Sequence, residues 1–145
     1  ELPDGSLVAI VTMRGSLCPV TLAHVESFVE ARRILLGEAG AERPARLERF
    51  DAVFGFFSLN GDGHVLDKLR AAGEPALDVV ARRHLVELAT KDYGWLAVEA
   101  SEGLTLSILQ LQWPRLEFIH FYMNGADDVA RYKKYTWCTP TSRYI

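Results

Sequence analysis

Residues 7–24 read Leu7-Val8-Ala9-Ile10-Val11-Thr12-Met13-Arg14-Gly15-Ser16-Leu17-Cys18-Pro19-Val20-Thr21-Leu22-Ala23-His24, and this stretch decides the fold. Its first six residues are a β-branched apolar run bounded by Asp4-Gly5 and Arg14-Gly15-Ser16, the pattern of a strand buried on both faces and central in a parallel sheet. From Thr21 the period changes. Leu22, Val25, Phe28, Val29, Ile34, Leu35 and Leu36 fall mostly at helical spacing, with Glu26 and Glu30 early, Arg32 and Arg33 late, and Gly37 as the stop. Between strand and helix, Gly15 lets a ligand approach the backbone, Pro19 stiffens the turn, and Thr21 stands where a helix opens with unpaired N–H groups. His24 follows three residues after Thr21, so hydroxyl and imidazole share a face above an anion-attracting helix mouth. A plain N-cap at Thr21 and a satisfied polar side chain at His24 explain the same spacing.

The rest of the chain repeats the alternation. Asp51 to Leu59 is a second strand closed by Asn60-Gly61-Asp62-Gly63, and Phe54, Phe56 and Phe57 within it are expected in the core. His64 to Glu74 is expected to be a loop with some helix. Leu77, Val80, Ala81, Leu85 and Leu88 predict a helix over Ala76 to Lys91 with one apolar face. Trp95 to Ala100 is a third strand, which Ser101-Glu102-Gly103 ends before a short amphipathic segment through Leu104, Ile108 and Leu111. Leu116 to Met123 is a fourth strand, followed by Asn124-Gly125-Ala126-Asp127-Asp128 and a helix to Tyr135. Strands and helices in this order predict a mostly parallel α/β sheet with helices on both faces and ligands outside the carboxyl ends of the strands. The two loops in contention for the site are Met13–Val20 and Asn124–Asp128.

With 145 residues, the chain is expected to be one domain. Its 49% apolar and 24% charged composition, with mean hydropathy +0.04, excludes disorder and collagen-like repeats. Sixteen basic against nineteen acidic residues leave −3, so no nucleic-acid partner is indicated. No apolar run reaches the roughly 18 residues of a membrane span, and ELPDG lacks the pattern of a leader. Cys18 and Cys138 are too few for a disulfide framework or zinc site and read as free thiols of an intracellular protein, cytoplasmic or nuclear. Ser142 to Ile145 ends in what reads as the middle of an element, so more sequence is expected to follow. A homo-oligomer is left open.

Gly15-Ser16-Leu17-Cys18-Pro19-Val20-Thr21-Leu22-Ala23-His24 resembles the G-S-F-x-P-x-T/H-x-x-H signature of the nucleotidyltransferase superfamily. Asn124-Gly125-Ala126-Asp127 resembles the G-A-D that follows the fourth strand of nicotinamide/nicotinate mononucleotide adenylyltransferases. The block Ala81 to Gly103 is similar to the helix and strand of their eukaryotic branch, and the three blocks agree in order and spacing. The resemblance implies a Rossmann-like nucleotidyltransferase domain, here C-terminally incomplete. It would transfer AMP from Mg²⁺-bound ATP to nicotinamide or nicotinate mononucleotide, giving NAD or its deamido form and pyrophosphate. By position it implies that Gly15 and Ser16 contact phosphates, Thr21 and His24 form the catalytic second motif, and Gly125 and Asp127 hold the adenosine side. It further implies that Trp95 stacks on the pyridine, with Trp137 a second aromatic after G-A-D and Lys68 a candidate for the mononucleotide phosphate.

Departures are visible. Ala81 replaces the histidine of the family's H-R, leaving Arg82 as the match, and the C-terminal S-S/T-x-x-R segment has no counterpart, Thr141-Ser142-Arg143 being only an echo. Two rival functions therefore stand beside the first: another nucleotidyltransferase with a different acceptor, or an inactive nucleotide-binding scaffold of the same fold. His84 is expected to be a structural helix-face residue, His120 to be buried in its strand, and Asn60-Gly61-Asp62-Gly63 to be a turn rather than a calcium loop. Ser58 lacks a nucleophile-elbow context and Cys18 a base partner, so neither reads as a nucleophile.

Overall fold

The computed structural model describes residues 1–99 and 105–145. Strand β1 (Leu7–Gly15) sits in the middle of a five-stranded sheet, pairing in parallel with β2 (Ala52–Leu59) on one side and β4 (Glu117–Met123) on the other. Outside these lie β3 (Leu96–Val98), against β2, and β5 (Ser142–Tyr144), against β4, giving the all-parallel order β3-β2-β1-β4-β5. Val8 to Thr12 is buried throughout, as a strand covered on both faces requires. The helices are α1 (Leu22–Leu36), α2 (Asp62–Ala72), α3 (Val79–Thr90), α4 (Thr105–Gln112) and α5 (Ala126–Arg131), with a 3₁₀ turn at Lys134–Trp137. No helix among the described residues is long and apolar enough to cross a membrane.

Helix α1 buries Val25, Phe28, Ala31 and Leu35, one stripe at three- and four-residue spacing, and stops at Gly37 in the left-handed conformation. It packs with α3 against the sheet face formed by Ala9, Val11, Val53, Phe57, Ile119 and Phe121. The opposite face carries Val8, Ile10 and Phe118, against which α4 lays Leu106 and Leu109. Strand alternation splits the expected aromatic cluster accordingly. Phe57 is in the core, 4.6 Å from Phe28, while Phe56 is half-buried and Phe54 is 40% exposed on the thinly covered face.

Four other expectations are corrected. The segment expected to be mainly loop between His64 and Glu74 is the helix α2, opened by Gly61 and closed by left-handed Gly73. The core face of α3 is Val79, Arg82, Val86, Ala89 and Thr90, whereas Val80 and Leu88 are 73% and 52% exposed and His84 lies outside. A buried arginine and threonine occupy the stripe, so the apolar residues mark the wrong side. The helix after β4 ends at Arg131, where Tyr132 caps it, instead of reaching Tyr135. The three residues of β5, too short to show a period, add an edge strand. Ala100 to Leu104, where the third strand's end and the start of the next segment were expected, lie outside the described residues.

Gly55 is where α1, β2 and β3 close up: a Cβ there would come within 2.3 Å of Leu96 Cδ2 and 2.7 Å of Phe28 Cδ1. Gly55→Ala is expected to destabilise the protein by about 1 to 3 kcal/mol, the usual cost of overpacking, read from its denaturant midpoint.

The far edge is held by charge. Arg143 of β5 donates both guanidinium nitrogens to Glu48, at 2.5 and 2.7 Å, and this bond pulls the Glu48 carboxyl from its ordinary 4.5 down to about 2. A lowered carboxyl pKa gives stability that is full above pH 4.5 and is lost as pH falls through about 2. Unfolding midpoints of the wild type and Glu48→Gln should therefore differ near pH 6 and converge near pH 2, and parallel profiles would remove the pair from the acid response.

Candidate active site

The sheet order reverses direction at β1. The connection after β1 runs to α1 over one face, and the connection after β4 runs to α5, so the two loops diverge and leave a crevice at the carboxyl ends of the strands. A cleft of about 580 Å³ occupies it, walled by Met13 to Pro19, by Ala23, His24 and Ser27 of α1, by Lys68 and Leu69 of α2, by Glu74, and by Met123, Asn124 and Gly125. Of the residues expected at the site, Gly15, Ser16, His24, Lys68 and Gly125 line it together. Arg14 and Asn124 belong to the two loops expected to contend for the site, which the pairing of β1 with β4 brings to one cleft; sequence reasoning missed Ser27, Leu69 and Glu74 as wall residues.

His24 is oriented by the first turn of its helix. Its Nδ1 accepts the Thr21 backbone N–H at 3.0 Å and lies 2.7 Å from the Thr21 hydroxyl. A backbone amide can only donate, so Nδ1 carries no proton and the neutral ring holds its hydrogen on Nε2. Nε2 has no partner among the described residues, which leaves a donor at the cleft wall. Thr21 is a positioning residue in this geometry and is not itself part of the wall.

The loop's shape comes from Arg82, fully buried in α3. It donates to the carbonyl of Ser16 at 2.7 Å, of Asn60 at 2.9 Å and of Leu77 at 3.1 Å, and to the carboxylate of Asp62 at 2.8 Å. The Gly15 carbonyl meanwhile accepts from the Asn60 N–H at 2.9 Å. Across a planar trans peptide, C=O and N–H point in opposite directions, so holding these carbonyls against Asn60 and Arg82 turns the N–H groups of Ser16 and Leu17 away from those partners. Leu17 completes the bend in the left-handed region, φ 45°, with its side chain buried. Such a conformation costs about 1 to 3 kcal/mol in a non-glycine residue and persists only where its surroundings hold it. Nothing in the packing demands a glycine at 15: a Cβ would meet only Leu17, at 3.6 Å. Cys18 closes the loop's other side by accepting the Leu77 N–H on its sulfur at 3.2 Å.

No protein-family model matches the chain, and no curated protein is significantly similar to it. The site therefore rests on geometry.

Asp127 stands in the first turn of α5, two residues beyond the wall residue Gly125, with its carboxylate folded back so that a Cβ on Gly125 would fall 2.6 Å from it. Besides Thr21 and Asp127, which adjoin wall residues without lining the cleft, two expected residues lie away from it. Trp95 precedes β3, and its carbonyl accepts from the N–H of Gly55, which pairs with Val11, four residues before the end of β1. That places it roughly 13 Å below the strand ends. Its ring packs there against Tyr93 and under the Arg32 guanidinium, 5.1 Å from the ring centre. The strand runs upward from Trp95, so no rotamer returns the indole to the carboxyl ends. Trp137 ends the 3₁₀ turn, largely exposed and outside the cleft wall. A larger hollow, about 780 Å³, lies against Val8, Ile10, Phe54 and Phe118 toward the amino ends; it contains none of these groups.

Removing Arg82 leaves one carboxylate and three carbonyls without their donor. Arg82→Met should cost about 3 to 5 kcal/mol, the range for breaking a buried ion pair from one side, measured by chemical denaturation.

Proposed function

We propose that this protein transfers AMP from ATP to nicotinamide or nicotinate mononucleotide, with release of pyrophosphate. The observation that carries the reading is the convergence of the loop after β1, the His24 imidazole at the mouth of α1, and the loop after β4 on one crevice at the switch point of a parallel sheet. The amides of Ser16 and Leu17, the opening turn of α1, His24 and Lys68 supply donors and positive potential where two phosphates must meet. Gly125 stands across the cleft, and a ribose hydroxyl can donate to the carboxylate of Asp127, two residues beyond it.

The chemistry needs no covalent intermediate. A phosphate oxygen of the mononucleotide attacks the α-phosphorus of ATP in line; a new P–O bond forms, the bond to the bridging oxygen breaks, and pyrophosphate leaves with that electron pair. The chain's contribution is to hold two anions together and to stabilise charge developing on the leaving group, the task of His24 Nε2–H and the loop amides. ATP enters as its Mg²⁺ complex, the ion bound to the substrate's phosphates. Arg143 takes no part, since it is bound to Glu48. A cytoplasmic or nuclear location accompanies this reading.

Incubating the protein with Mg-ATP and each mononucleotide should yield a dinucleotide and pyrophosphate. His24→Ala should lower turnover by about 10² to 10³, the usual cost of one preorganised donor, with little change in unfolding midpoint. Full turnover in that variant would remove His24 from the reaction. ATP binding without product from any acceptor would instead favour a nucleotide-binding protein of this fold.

A further inference from the structure

From Gly103 to Pro114 the chain carries no charged side chain, and α4 lies within that run. Its Leu106 and Leu109 pack on the sheet. Helical spacing turns Ile108 and Leu111 the other way, where they are 44% and 81% exposed, and Trp113, just beyond the helix, is 49% exposed. A surface helix keeps polar and charged residues on its outer side, whereas one that is apolar on both sides is ordinarily buried from both. Beside α4 the sheet is open as well: the hollow of about 780 Å³ is lined by Val8, Ile10, Phe56 and Phe118, with half-exposed Trp113 in its wall. Knob and hole thus belong to one surface. Two charged residues of the same wall, Arg115 and Asp4, are of opposite sign and lie 3.0 Å apart with both side chains largely exposed.

We propose that this surface joins two copies of the chain about a two-fold axis, with α4 packed on its counterpart and Trp113 of each copy seated in the hollow of the other. A two-fold contact brings a patch against itself, so the residues nearest the axis meet their own counterparts. Like charges there would repel, and α4 has none to bring. Its outer polar residues are Ser107, Gln110 and Gln112, whose hydroxyl and amides both donate and accept and can therefore pair with their own copies. At the rim, Asp4 of one copy can face Arg115 of the other, so the charge of the patch complements itself. That self-complementarity is what selects a second copy over an unrelated partner, which would place no such demand on the patch. A tryptophan entering an apolar pocket is the kind of anchor that carries most of an interface's energy. The hollow lies toward the amino ends of the strands, so the cleft at the carboxyl ends stays open in the pair.

Sedimentation equilibrium of the whole chain at micromolar concentration should give twice the 16.2 kDa chain mass. Leu111→Arg, at a position the fold leaves exposed, should weaken association by about a hundredfold or more, because it buries an unpaired charge at the axis, while the circular dichroism of the folded chain is unchanged. Ile108→Arg serves if that variant fails to fold. Asp4→Arg and Arg115→Asp each set like charges against one another and should each weaken association by about tenfold, yet an equimolar mixture of the two should regain wild-type association, since opposite charges then meet only between copies. A chain that stays at 16.2 kDa up to about 0.1 mM would overturn the interface. So would an oligomer that dissociates equally in the wild type and in the α4 variants, and a mixture no stronger than its components would overturn the two-fold arrangement.

Discussion

One buried guanidinium holds the working end of this molecule together. Arg82 reaches from α3 to the loop after β1, the turn after β2 and the first residue of α2. Taking a guanidinium out of water costs several kcal/mol, and that cost is offset only because four oxygens are aimed at it. The same geometry that satisfies the arginine holds the Ser16 carbonyl inward and sustains the strained Leu17. Stability and site geometry thus share one set of hydrogen bonds.

Around that clamp the site follows from the sheet. A central parallel strand sends its loop to one face while its neighbour β4 sends the next loop elsewhere, so the space between the two loops opens at the carboxyl ends. Polar residues collect there because the loops do. The apolar hollow on the other face is larger, yet its Arg115 guanidinium is bound to Asp4, so size alone does not locate the chemistry.

Much of this was legible in the chain. The run Leu7 to Thr12, the period change at Thr21 and the stop at Gly37 specify a buried strand and a helix through local sterics and burial alone, and Gly15, Ser16 and His24 arrive at the cleft because they ride on that unit. Other features were hidden for definite reasons. An arginine on the core stripe of α3 looks like a surface residue until its four acceptors are assembled from distant segments. Trp95 lies within a recognisable block and opens its strand, but how far below the end of β1 that places it depends on the pairing of Leu96 with Gly55. Edge strand β5, three residues long, carries too little pattern to declare itself.

What the sequence determined by itself is the alternation of strands and helices and the anion-ready turn at the start of α1, since periodicity, glycine placement and helix capping act within a few residues. Only tertiary structure decided strand order, the burial of Arg82 and the separation of Trp95 from the cleft. These rest on contacts between residues dozens to more than a hundred positions apart, and hydrogen-bond partners at that range leave no local trace in the order of the amino acids.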